Sequence, residues 1–213
     1  TILKSGQEFD DVYLDADITK REAAAIYRCD ISLIISEFEM KLLIEKLKIP
    51  QHILFYLPFM METVSSENNS YTERKDFISI GNFLHEPNWR AVLNLKENIW
   101  PLLSKLVPDA HLHIYGAYPS QKVWNLHNKA ERFIVHGRAE NALKVMSNAR
   151  ICLAPIQFGA GLKGKLAEAM ACGTPSVTTS IGSEGMAGDL EWNGFIEDDP
   201  AQFVESAKML YTN

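Results

Sequence analysis

The chain has 213 residues, 46% hydrophobic and 23% charged, the make-up of an ordinary globular protein, and its length holds one generous domain or one domain plus part of another. A net charge of −6 excludes a broad electrostatic attraction for nucleic acid or anionic lipid, so an anionic ligand needs a local basic cluster. Cys29, Cys152 and Cys172 sit in apolar contexts without Cys-x-x-Cys spacing and read as buried free thiols in a reducing compartment. No apolar run approaches the length of a membrane span and no signal-peptide pattern is read, so cytoplasmic placement is expected, with peripheral membrane contact of a fuller protein left open.

In chain order, residues 12–14 predict a short strand, 20–28 a helix and 31–35 a buried strand. Ser36 and Glu39 have the spacing of a capping box for a helix reaching about Lys48, which Pro50 ends, and 52–57 predict another strand. Residues 63–75 are rich in Ser, Asn, Glu and Thr, poor in apolar residues, and read as a linker. Beyond it the pattern becomes regular. Strands are expected near 76–80, 111–115, 132–136, 150–155, 176–179 and 194–196, with helices near 88–106, 120–129, 140–148, 163–172, 183–190 and 201–211. This alternation predicts an α/β fold, a Rossmann-like parallel sheet with helices on both faces, joined to a short N-terminal βαβ piece. Ligands of such sheets bind beyond the carboxyl ends of the strands, so the loops that follow strands are the places to search.

The strongest candidate is the loop after the strand at 150–155. It contains Gly159, Gly161, Lys163, Gly164 and Lys165, and a helix bearing Glu168 follows until Gly173-Thr174-Pro175 stops it. Glycines let backbone approach an oxyanion, the N–H groups and dipole of a helix start favour negative charge, and two lysines there are locally unfavourable unless an anion joins them. The register is neither that of a phosphate-binding P-loop nor that of the dinucleotide Gly-x-Gly-x-x-Gly.

This stretch, with its Ala-Met-Ala-x-Gly-x-Pro ending at Pro175, resembles the donor-binding half of the GT-B glycosyltransferases, family 4 in particular. Those enzymes carry two glutamates eight positions apart. The second matches Glu168, for which the resemblance implies contact with the ribose of a nucleotide sugar; the first falls on Ala160, as in a subgroup with Gly-Ala-Gly-x-Lys-x-Lys-x-x-Glu. Gly81, Asn82, His85, Pro87 and Asn88 resemble that subgroup's Val-Gly-x-Phe-x-His-x-Pro-Asn loop, with Asn82 where the wider family has arginine. The resemblance implies that this loop touches the donor and that His136-Gly137-Arg138 lies beside the base. Arg138 is read either as charge for the ligand or as a solvated loop residue. The small residues around Ser183 suit a donor-facing loop with free amides, or a plain turn.

Residues 20–60 resemble the end of the acceptor-side domain, through Arg21-Glu22 and the run from Cys29-Asp30 to Glu39. The resemblance therefore divides the chain into an incomplete acceptor-side piece (1–62), a linker (63–75) and a nucleotide-sugar-binding domain (76–213). A chain starting with Thr1 is then expected to be part of a longer polypeptide that transfers no sugar appreciably by itself. The function implied is glycosyl transfer from a nucleotide sugar to a glycan or other small acceptor, with retention of configuration. No cofactor or metal is expected. Alternatives are another GT-B enzyme, such as a nucleotide-sugar epimerase, and a non-catalytic nucleotide-sugar-binding module. Asp15-Ala16-Asp17 has the form of a metal-holding Asp-x-Asp but lies far in sequence from the glycine-rich loop. His111 and His113 share a strand face without a third ligand nearby and read as structural.

Overall fold

Within the computed structural model, residues 16–58, 60–61, 70–159, 161–186, 188 and 190–213 are described; the expected strand at 12–14, Asp15, Ala160 and most of the expected linker lie outside them. The N-terminal piece runs α1 (Asp17–Ile26), β1 (Ser32–Ile34), α2 (Glu37–Glu45) and β2 (Leu54–Tyr56), with β1 and β2 paired in parallel as a separate sheet. Leu43, Ile49 and Leu54 form its small buried core.

After it follow β3 (Lys75–Asn82), α3 (Glu86–Asn94), α4 (Trp100–Leu106), β4 (Leu112–Ala117), α5 (Gln121–Trp124), β5 (Phe133–Gly137), α6 (Ala142–Asn148), β6 (Ala149–Ala154), α7 (Gly164–Ala171), β7 (Ser176–Thr178), α8 (Ser180–Ser183), β8 (Gly194–Ile196) and α9 (Pro200–Thr212). The six strands of this part are all parallel, in the order β5-β4-β3-β6-β7-β8. Counted from β3, that is the doubly wound order, and the direction of winding reverses between β3 and β6. One face of the sheet buries Phe77, Leu112, Ile114, Phe133 and Ile151 against Leu95, Trp100, Leu103 and Phe203 of the flanking helices. The other packs Ile78 and Cys152 against Met146 of α6 and Ala169 of α7. Full burial of one such aliphatic or aromatic side chain contributes about 1.5–3 kcal/mol.

Several sequence expectations change for local reasons. The long helix expected near 88–106 is interrupted by a π-helical turn, Leu95–Ile99, where Trp100 N–H bonds Leu95 O. Pro101, without an N–H, follows directly and cannot continue a regular ladder. The helix expected near 120–129 stops at Trp124, and Asn128 instead bridges to Phe133. The helix expected near 183–190 is replaced by a short turn of helix that ends at Ser183; beyond it no helix forms among the described residues, and Gly185 and Gly188 both take positive φ, +70° and +56°. Ser36 caps α2 by accepting the Glu39 amide at 3.4 Å, but the reciprocal bond of a capping box does not form; the Glu39 carboxylate lies towards Gly161 instead. Cys29 is exposed rather than buried, whereas Cys152 and Cys172 are buried, and all three are free thiols.

The end of the stretch expected as a linker is fastened to the large sheet. The Tyr71 hydroxyl donates to Leu210 O at 2.5 Å, and the Arg150 guanidinium lies 4.7 Å from the Tyr71 ring centroid. Arg74 is buried and donates to Cys172 O (2.9 Å), Gly173 O (2.9 Å) and Thr174 Oγ1 (3.0 Å), tying the start of β3 to the end of α7.

Candidate functional site

A cleft of about 650 Å³ opens where β3 and β6 diverge at their carboxyl ends, the position that the strand order marks for a ligand. On the β3 side it is lined by Gly81, Asn82, His85 and Asn88, on the β6 side by Gly159, Lys163, Gly164, Lys165 and Glu168, with Arg138 beyond β5. The candidates from the first loop, the glycine-rich loop and the β5 turn are thus brought together. Two are not: Gly161 lines a second cavity, and Ser183, whose hydroxyl donates to Ser180 O at 3.1 Å, is absent from the cleft lining.

The first loop needs its glycines for space. Gly116 of β4 stands opposite Gly81, and a Cβ on it would come within 2.2 Å of Gly81 O and 2.3 Å of the Phe83 ring. The Asn82 side chain closes the turn by accepting the Leu84 amide at 2.9 Å. His85 is the residue before α3 and makes no side-chain cap bond, so its ring is available to the cleft that it lines.

In the glycine-rich loop, Gly159 and Gly161 take φ +125° and +79°, conformations that L side chains seldom adopt. Lys163 ends the loop; its ammonium turns back onto Gly161 O (2.6 Å) and Gly159 O (3.2 Å), and burial lowers its pKa against the opposing pull of Glu184 and Glu39. Helix α7 begins at Gly164. Among the described residues the amides of Gly164 and Lys165 bond no carbonyl, as expected of a first helical turn. The Lys165 ammonium donates to Asn88 Oδ1 at 2.6 Å. Burial pulls its pKa down to about 8, with Lys163 acting in the same direction and Glu168 only partly opposing. Three residues on, Glu168 faces the same cleft; burial raises its pKa, and its carboxylate accepts no hydrogen bond among the described residues.

A pH dependence follows. A phosphate beside Lys165 favours the ammonium, so binding above pH 8 draws in a proton, and affinity for a nucleoside diphosphate is expected to fall by up to about tenfold per pH unit as pH rises through 8. Lys165→Arg, charged throughout, should flatten that limb in calorimetric titrations at pH 7 to 9.5. A persistent fall in the arginine variant would assign it to another group.

Sequence reasoning missed Asn88 as a partner of Lys165, because 77 residues separate them. It also missed Asp76. This carboxylate accepts from the His111 amide (2.7 Å) and pairs with His113 Nε2 (3.2 Å), whose Nδ1 meets His136 Nε2 at 2.8 Å. Burial alone would raise the Asp76 pKa, but the bonds from His113 and His111 outweigh it and hold it low. No group of three His, Cys, Asp or Glu among the described residues could hold a metal ion, and Asp17 opens α1.

The second cavity, about 440 Å³, lies on the far side of the glycine-rich loop, between α1, β1 and α2, and is lined by Glu22, Leu33, Phe38, Glu39, Gly161 and Glu184 among others. Burial, then Glu22, raises the Glu39 pKa. No described helix is long and apolar enough to cross a membrane.

A doubly wound sheet with a glycine-lined, lysine-bearing cleft at its switch point is the arrangement in which such folds commonly receive phosphate-bearing ligands. The chain belongs to the group 1 glycosyl transferases, whose family profile matches residues 74–213, and its fold is that of the GT-B enzymes. Against the curated proteins no significant sequence match is found. Among solved structures, it is similar to a mutant of Staphylococcus aureus TarM in complex with fondaparinux, α-GlcNAc-glycerol and UDP (TM-score 0.74, 14% identity, 100% of this chain and 43% of that one). It is also similar to the pneumococcal O-GlcNAc transferase GtfA in complex with UDP and GlcNAc (0.62, 17%, 98% and 43%). A third similar structure is a UDP-forming trehalose-phosphate synthase from Burkholderia xenovorans (0.65, 11%, 98% and 59%). At these identities the likeness is one of fold, and the chain spans 43% of the TarM and GtfA chains.

Proposed function

We propose that this chain is the donor-binding part of a glycosyltransferase that moves a sugar from a nucleotide sugar to an acceptor, with retention of configuration as in family 4. The observation that carries this reading is the Lys165–Glu168 pair at the start of α7, facing one cleft at the switch point of the sheet. The diphosphate lies against Lys165 and the amides of Gly164 and Lys165, and the ribose hydroxyls meet Glu168. Arg138 lies towards the base. When the glycosyl–oxygen bond breaks, charge grows on the departing diphosphate, and donors already fixed around it lower the barrier. UDP occupies two of the similar structures, which favours a nucleoside diphosphate as the leaving group here. Residues 1–62 are read as the end of the acceptor-side domain, and the second cavity, lined in part by that piece, is the place proposed for the acceptor's approach.

Binding is expected to need no divalent ion, since an ammonium and backbone amides take its place. Calorimetric titration with UDP, GDP and ADP and their sugars, with and without EDTA, tests this. Micromolar to millimolar affinity unchanged by EDTA is expected. Abolition of binding by EDTA, and again by Asp17→Ala, would move the site to the N-terminal Asp-x-Asp.

A further inference from the structure

We infer that Asn88 is a positioning residue that aims the Lys165 ammonium into the cleft and, by being a neutral amide, keeps its positive charge available for the ligand. This rests on reading the cleft as a nucleoside diphosphate site. Asn88 lies in the first turn of α3 and is held at both ends of its amide. Its Nδ2 donates to Asn82 O at 2.8 Å, and its Oδ1 accepts from Lys165 Nζ at 2.6 Å. The backbone carbonyl fixes which way the amide faces: a flip would set Nδ2–H against the ammonium and Oδ1 against a carbonyl oxygen. The position is also cleared for it, because a Cβ on Gly81 would lie 2.8 Å from Asn88 Cγ. The first turn of α3 and the first turn of α7 are therefore linked through one side-chain hydrogen bond between two residues that both line the cleft.

The chemistry of the linker matters. An ammonium has three N–H donors; one is given to Asn88 and two remain for phosphate oxygens. An amide oxygen stabilises the ammonium by a hydrogen bond without adding negative charge. A carboxylate at the same place would hold the lysine more tightly, but it would cancel the charge and repel the diphosphate. The other groups acting on Lys165 are the Cys152 thiol from β6, Glu168 from its own helix and Lys163 from the loop, with His85 and Arg138 elsewhere on the cleft wall. Burial raises the Cys152 pKa to about 12, so the thiol is neutral at working pH and supplies no counter-charge. Asn88 is thus a neutral acceptor that supports the charged lysine without adding a second carboxylate to the cleft that Glu168 already lines.

The test separates this role from a merely structural one and from the reading of the cleft. Lysine 13Cε chemical shifts are followed against pH in the unliganded protein, with Lys165→Arg used to assign the resonance. Asn88→Ala is expected to lower the Lys165 midpoint, since the charged form loses its acceptor, and Asn88→Asp to raise it by about a unit or more. Yet both variants should weaken nucleoside diphosphate binding about tenfold at pH 7, with nucleoside binding little changed. Opposite midpoint shifts with the same direction of affinity change are what a general loosening of the loop cannot produce. An unmoved midpoint in a folded Asn88→Asp protein overturns the inference, even if the wild type binds nucleotide. The expected midpoint shifts with no nucleotide bound by the wild type would instead remove the reading of the cleft and leave the Asn88–Lys165 coupling standing. If Asn88→Ala does not fold, the nearly isosteric Asn88→Asp carries the test alone.

Discussion

Replacing Lys165 by alanine should reduce affinity for a nucleoside diphosphate ten- to a hundredfold while changing affinity for the nucleoside by less than about threefold. A charge-assisted hydrogen bond contributes roughly 1.5–3 kcal/mol, and the partner of this one is the phosphate. Glu168→Ala should weaken both ligands by a similar factor, because the ribose is common to them. The two side chains stand three residues apart on the first turns of α7 and line the same cleft, so one ligand can meet both. Calorimetry on folded variants reads the pattern. Equal losses for both ligands in Lys165→Ala, or none in either variant, would take α7 out of the binding site.

The largest expected effect on stability comes from Arg74. Its guanidinium is buried and satisfies the carbonyls of Cys172 and Gly173 and the hydroxyl of Thr174. Arg74→Ala leaves these acceptors without their donor inside the protein and opens a hole between β3 and α7. A loss of about 3–4 kcal/mol is expected, read as a lower urea midpoint at an unchanged slope. Arg74→Lys keeps the charge but cannot span the three acceptors, and should lose roughly half as much. A change below about 1 kcal/mol in the alanine variant would mean that water takes over the bonds.

Arg74 also shows where sequence reading ran out. It closes a stretch of polar residues with the composition of a linker, and nothing local says that its side chain turns inward to close the end of a helix about a hundred residues later. The strands were legible because short apolar runs between helical stretches have few other readings. Their spatial order was not, since the winding around β3 and β6 depends on which crossovers pack on which face. The glycine-rich loop was legible because positive-φ glycines followed by lysines before a helix carry a local physical reason. Its partner in the first loop was seen only as part of a resemblance, and the link from Asn88 to Lys165 emerges only when β3 and β6 lie side by side. The Ser36–Glu39 spacing misled for the opposite reason: the glutamate had a tertiary position, near Gly161, that the local motif could not foresee. Likewise two positive-φ glycines, Gly185 and Gly188, turn a stretch of helical composition into turns.

The central claim is that the cleft at the switch point receives a nucleoside diphosphate through the start of α7. A crystal structure of the chain with a bound nucleoside diphosphate tests it most directly. The account predicts phosphate oxygens within hydrogen-bond distance of the Lys165 ammonium and of the amides at the start of α7, with a ribose hydroxyl on Glu168. A diphosphate seated elsewhere, with Lys165 still bonded only to Asn88, would contradict it.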